Sequence, residues 1–143
     1  MAFTPKNYSQ GQSPWGPWKL TPSPLTMKAQ GCVTVLAARI ASNVLGRDVT
    51  PGEMNQYATR TGGYTTGGLF LWRCLETFTK GKAKFLGSYY DKNARYILRV
   101  VYIGLYRHFV AIKGATQCFD PLDGKVKNYP KTWKLTNEYR SFR

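Results

Sequence analysis

The chain is poor in the residues from which most metal and catalytic centres are built. Among 143 residues it has one histidine, His108, with three cysteines and seven acidic side chains. A structural zinc site would need carboxylates to complete it, whereas closed zinc sites favour Cys and His ligands at short spacings. Cys32, Cys74 and Cys118 are odd in number and have no CxxC spacing, so a disulfide framework is not expected and at least one thiol is free. No apolar run approaches the roughly 18 residues of a membrane span. The opening "MAFTPKNYSQ" has no apolar core of a secretory signal. Internal repeats and low-complexity segments are also missing.

Positive charge and aromatic area are abundant. There are 21 Lys and Arg against 7 Asp and Glu, a net charge of +14. That balance points to a polyanionic partner: nucleic acid, anionic lipid or an anionic cell wall. The basic residues are spread along the chain and are densest in "KVKNYPKTWKLTNEYRSFR". With 43% hydrophobic and 15% aromatic residues the chain reads as globular. Its length suits one domain spanning residues 1–143, large enough to bury a core.

Residues 1–31 are rich in Pro, Gly, Ser and Trp, but Tyr8, Trp15, Trp18 and Leu20 supply apolar anchors, so they read as an irregular arm packed on the domain. From Val33 to Leu45 the apolar residues Val33, Leu36, Ala37, Ile40, Ala41 and Val44 follow the period of a helix, with Gly46 as its C-cap. Thr50 with Glu53 fits a capping box, and Pro51 suits the first position of a helix running to about Arg60. A third helix is expected from Leu69 to about Thr79, with Cys74 inside it as a core residue. Beyond it, "KAKFLGSYY", "YILRVVYIGLY", "HFVAIKG", "TQCFD" and "KVKNY" predict four or five short strands in a meander. Helices first and an antiparallel sheet second make an α+β architecture. The tail "YPKTWKLTNEYRSFR" reads either as a last strand or helix with solvated charges, or as a wall- or membrane-binding face built on Lys131, Trp133, Lys134, Tyr139 and Arg140.

Gly31 and Cys32 stand directly in front of the first long helix. A cysteine there is either a small core residue or a nucleophile, and a helix N-terminus favours the thiolate. Gly31 permits a sharp entry and a close backbone approach. A thiol nucleophile needs a base and a group to orient that base. His108 is the one ordinary candidate for the base; on a strand, alternation sends Phe109 and Ala111 to one face and His108, Val110 and Ile112 to the other. Two antiparallel strands joined at Gly114 would return Asp120 beside His108, where a carboxylate can hold an imidazole tautomer. Asp120 also suits the start of the turn "DPLDG", and Asp123, in the turn proper, is the weaker orienter.

The ordered set "YSQ…W…GCVTVLAARIASNVLGRDVTPGEMN…HFVAIKG…FDPLDG" resembles the papain-like cysteine peptidases of the bacteriocin-processing, double-glycine type. The likeness is nearest to stand-alone versions in bacteriophage and bacterial cell-wall proteins, and runs from about Tyr8 to Gly124. It implies a papain-like fold with Cys32 as nucleophile, His108 as general base and later acid, and Asp120 as the residue that orients it. The oxyanion-hole glutamine of the family matches Gln10. Many relatives place that glutamine nearer the cysteine, at the position Thr26 holds here, so Gln12 and Gln30 are rivals. Val33 replaces a glycine that often follows the cysteine, which would narrow the site. No metal or organic cofactor is implied.

The expected activity is cysteine-dependent amide hydrolysis, most specifically a phage-type peptidoglycan endopeptidase cutting stem peptides or cross-links. The anionic wall or outer-membrane surface is the expected partner, and the protein is expected to be a monomer. It would be made in the host cytoplasm without a signal peptide and reach the wall on lysis or as part of a virion. A protein-processing cysteine protease is the alternative enzyme. A basic nucleic-acid-binding protein is the alternative without catalysis, although no helix-turn-helix, RNA-recognition or zinc-finger signature is present.

Overall fold

A computed structural model describes residues 4–143. The architecture is α+β: N-terminal helices are followed by an antiparallel sheet. Helices α1 (Met27–Gln30), α2 (Cys32–Leu45), α3 (Pro51–Thr61) and α4 (Trp72–Phe78) precede strands β1 (Phe85–Gly87), β2 (Tyr96–Ile103), β3 (Tyr106–Ile112), β4 (Gln117–Asp120), β5 (Lys125–Asn128) and β6 (Lys134–Phe142).

The central helix α2 is buried on more than the one stripe its periodicity suggests. Thr34, Val35 and Ala38 are enclosed along with Leu36, Ala37, Ile40 and Ala41, because α3 and α4 cover it on one side and β3 on the other. Alanines at 37, 38 and 41 let both layers come close. Ser42 donates to the Ala38 carbonyl and its Oγ also accepts from the Val49 N–H, which fixes the chain as it leaves the helix. Gly46 then adopts a left-handed conformation, φ 68°, to end it. At α3, Thr50 accepts from the Glu53 N–H as a capping box requires, but the Glu53 carboxylate turns outward to Arg47. Helix α4 starts at Trp72 and not at Leu69. Residues 64–70 instead form a tight reversal, with Tyr64 bridged to Phe70 and Gly68 at φ 84°.

The sheet has six strands in the order β1-β6-β2-β3-β4-β5. Only β2 to β5 form the expected meander. The C-terminal tail returns as β6 and inserts between β1 and β2, so the sheet is not a simple meander. Its polar sequence reflects a half-exposed strand, but its end is anchored. Phe142 is fully enclosed and packs 4.9 Å from the Trp72 ring and 5.4 Å from the Phe85 ring. Trp133, Tyr139 and Arg140 are half-buried, while Lys131 and Lys134 are exposed. In the arm, Trp15 and Leu20 are buried in the same core as α2 and β2. Among the described residues no helix is long and apolar enough to cross a membrane.

Phe142, one residue from the C-terminus, is thus a core residue of the sheet. Phe142→Ala is expected to lower stability by about 3–5 kcal/mol, measured as the shift in the urea unfolding transition.

Candidate functional site

Cys32 is the first residue of α2, and Gly31 is shared between α1 and α2. A side chain at Gly31 would meet the Met27 carbonyl oxygen at 2.5 Å and the Met27 sulfur at 2.9 Å. Glycine is required here because one helical turn must abut the next. The close approach is made by Met27, inside the protein, and brings the thiol to the leading end of the buried helix. No side chain caps α2, so the N–H groups of its first turn have no side-chain acceptor. Cys32 is buried but lines a groove of about 200 Å³ with Gln30, Val33, Gly67, Gly68, Leu69 and Arg107 among its walls.

His108 and Asp120 are brought together as the strand pairing predicts. Ala111 lies opposite Phe119 in the β3–β4 ladder, which puts His108 and Asp120 on the same face and diagonal to one another. The imidazole Nε2 is 2.6 Å from Asp120 Oδ1, and both residues are almost fully buried. Nδ1 is also buried and has no hydrogen-bond partner among the described residues, and the Cys32 side chain contributes to the charge balance of the ring. Burial alone would lower the imidazole pKa. The Asp120 hydrogen bond and the Cys32 side chain outweigh it, and the pKa is pushed up to about 9.

Asp120 is itself heavily supported. Its Oδ1 also accepts from the Leu122 N–H at 2.9 Å, and its Oδ2 accepts from Lys127 Nζ at 2.9 Å. Burial opposes its ionisation, but these donors and His108 outweigh that and hold the carboxyl below its usual range. Lys127 bridges Asp120 to Asp123 and lies 5.7 Å from the Trp133 ring, whose edge approaches His108. Asp123 therefore reaches the pair only through Lys127. Neither Lys127 nor Trp133 was readable as part of the site. Lys127 sits in the alternating run "KVKN", and only the β4–β5 register, with Asp120 opposite Lys125, places it near the carboxylate.

Gln10 is buried beside this group. Its backbone N–H donates to the Pro121 carbonyl, and its side-chain nitrogen donates to the Lys28 carbonyl at 2.9 Å. The same nitrogen is 3.5 Å from the Tyr106 hydroxyl. Tyr106 in turn donates to the Ala29 carbonyl and stacks on His108 with ring centroids 5.4 Å apart. Tyr106 is a third residue the sequence did not reveal: it links Gln10, the α1 turn and His108. Gln12 is exposed and accepts from the Ser9 N–H within the arm. Gln30 is exposed and shares the groove with Cys32. Cys74 and Cys118 lie elsewhere in the core, and burial raises both thiol pKa values, Cys118 to about 11.

Among the described residues, no three His, Cys, Asp or Glu side chains are grouped to hold a metal ion. The chain matches no protein-family model, and no curated protein or solved structure shows significant similarity to it.

The sign of the His108 contribution follows from its raised pKa. Its stabilisation is complete below the unfolded value near 6.5 and is lost as pH rises through about 9. Since His108 is the sole histidine, its ring resonances report this directly. The NMR titration midpoint is expected near 9, with the urea midpoint falling over the same pH range. Lys127 also draws on the Asp120 charge, so Lys127→Met should raise the His108 midpoint by roughly half to one pH unit, whereas Lys127→Arg should preserve it. An unchanged or lowered midpoint in Lys127→Met would remove Lys127 from the electrostatics of the pair.

Proposed function

We propose that the protein is a papain-like cysteine peptidase that hydrolyses peptide bonds of the bacterial cell wall. One observation carries the reading: the only histidine is buried, bound through Nε2 to a carboxylate, with its other nitrogen unpartnered in the neighbourhood of a cysteine at a helix start. A histidine with a purely structural role would have both nitrogens satisfied, since an unpaired buried polar atom is costly.

In the proposed reaction the Cys32 sulfur, having passed its proton to His108, attacks the scissile carbonyl carbon. His108, which retains its proton up to about pH 9, gives it to the departing amine as the C–N bond breaks. A thioester remains on Cys32. Water then attacks it, His108 takes the water's proton, and the carboxylic acid and free thiolate are released. The Cys32 backbone N–H lies at the uncapped end of α2, suited to stabilise the oxyanion, and Gln10 is the side-chain candidate to assist it. Asp120 fixes the ring orientation, and Lys127 limits how strongly Asp120 holds the proton on it.

The substrate assignment rests on charge. A net +14 concentrates the domain at anionic surfaces such as the cell wall. The groove beside Cys32 has apolar walls in Leu25, Leu69 and Phe109 and one cation, Arg107, with no acidic lining residue. Arg107 is paired with Glu138, so the apolar walls suit a peptide substrate and the net charge of the chain carries the choice of the anionic wall. Delivery on lysis or in a virion fits this substrate.

Purified peptidoglycan digested by the wild type should yield new amino groups and shortened muropeptides in mass spectra. Cys32→Ala and His108→Ala should each reduce this turnover by at least about a thousandfold. Activity should also fall above about pH 9 as His108 loses the proton it donates. Equal digestion by the wild type and Cys32→Ala would eliminate the thiol mechanism. Cleavage of a denatured protein without cleavage of muropeptides would keep the peptidase and replace its substrate.

A further inference from the structure

A second cavity, of about 280 Å³, opens between the C-terminal half of α2 and the ends of β2 and β3. Its size is at the small end for ligand sites. Its floor is apolar, from Leu36, Ile40, Ile97 and Ile112, yet Arg39, Arg95 and Lys113 also line it and no Asp or Glu does. None of these three cations forms an ion pair among the described residues.

Arg39 is the unusual member. Its guanidinium is half-buried and lies 4.0 Å from the centre of the fully buried Phe119 ring, and burial lowers its pKa. Among the described residues only Nη1 has partners, the Lys6 carbonyl and Asn7 Oδ1, and both are neutral. A partly desolvated guanidinium without a carboxylate carries a cost that an anion would relieve. A second unmet group stands in the same wall. The Tyr96 hydroxyl is buried and makes no hydrogen bond of good geometry among the described residues; burial raises its pKa, and the charge and weak hydrogen bonding of the adjacent Arg95 oppose that. A half-buried guanidinium with no carboxylate partner among the described residues, a tyrosine with an unpartnered hydroxyl, two further cations and an apolar floor line one cavity.

We propose that this cavity is a binding site for a small organic carboxylate: an anionic head held by Arg39, Arg95, Lys113 and the Tyr96 hydroxyl, and a short branched apolar body on Ile40, Ile97 and Ile112. The planar fork of an arginine matches a carboxylate in two parallel hydrogen bonds, and the phenol supplies a third donor. The site is separate from the Cys32 groove and does not depend on the peptidase reading.

The probe is 4-methylpentanoate, titrated into the full chain and followed by amide chemical shifts, with its neutral amide as the control for apolar filling. The expected result is saturable shifts at Ile40, Ile97, Ile112 and Tyr96, with the amide binding at least tenfold more weakly. Arg95→Glu and Lys113→Glu, both at exposed positions, should each weaken the acid at least tenfold without unfolding the protein. Tyr96→Phe supplies an independent arm. Removing an unpartnered hydroxyl should leave urea stability equal or raised while reducing affinity for the acid severalfold. Equal binding of acid and amide would reduce the site to an apolar hollow. Shifts spread over all lysine-bearing surfaces, or no saturable shift, would overturn the proposal outright.

Discussion

A histidine and an aspartate taken almost completely out of water must hold each other's charge, and much of the second half of the chain is arranged around that demand. An isolated buried carboxylate would protonate and an isolated buried imidazole would stay neutral. Here each stabilises the other's charged form, and the pair is completed by Lys127, the Leu122 N–H and the Cys32 neighbourhood. The arrangement asks for three strands in fixed register. β3 supplies His108, β4 supplies Asp120, and β5 returns Lys127 to the far oxygen of the same carboxylate. A slip of one residue in either ladder would turn one partner to the opposite face.

The sheet alone leaves one imidazole nitrogen unanswered, and the helical half bears on it. Gly31 allows the α1 turn to press on the start of α2, which sets where Cys32 emerges. Tyr106 ties the first residue of β3 to the Ala29 carbonyl in that same turn, so the histidine strand and the cysteine helix are fastened on both sides of the gap. Gln10 joins the arm to both by donating to Lys28 and taking its place beside Tyr106. These are neutral hydrogen bonds of 2.9 to 3.5 Å, worth about a kcal/mol each. Their weight lies in positioning.

Cys32, His108 and Asp120 were legible because each is constrained by local rules: a glycine-preceded helix start, a lone histidine on an alternating strand, and an aspartate one hairpin away. Their supports were not, because Lys127, Tyr106 and Trp133 owe their places to pairing between strands and not to local pattern. Lys127 is indistinguishable in sequence from any solvated lysine on an edge strand. The tail shows the same limit. Its alternation is weak and its polar content high, so nothing local says that Phe142 closes the core against Trp72. Leu69 erred in the other direction. It continues the apolar spacing of α4, but two glycines before it favour a reversal, and backbone freedom there prevails over side-chain period.

The same shortage of acids that shapes the sequence explains how charge is divided in the fold. Asp120 and Asp123 serve Lys127 and His108, and Glu138 holds Arg107 and Arg140. Glu53 holds Arg47, while Asp48 takes the Tyr8 hydroxyl with Lys6 nearby. Glu76 and Asp91 are spent on the backbone N–H groups of Phe85 and Asn93. Every acidic side chain is thereby committed to an internal contact, and among the described residues most of the cations have no carboxylate partner. The resulting positive field is not what stabilises the fold, since like charges repel in the compact state. It is a surface property that ordinary salt screens beyond about 8 Å, so it acts on encounter with an anionic partner, while the buried pair at the end of β3 and β4 is shielded from the same ions.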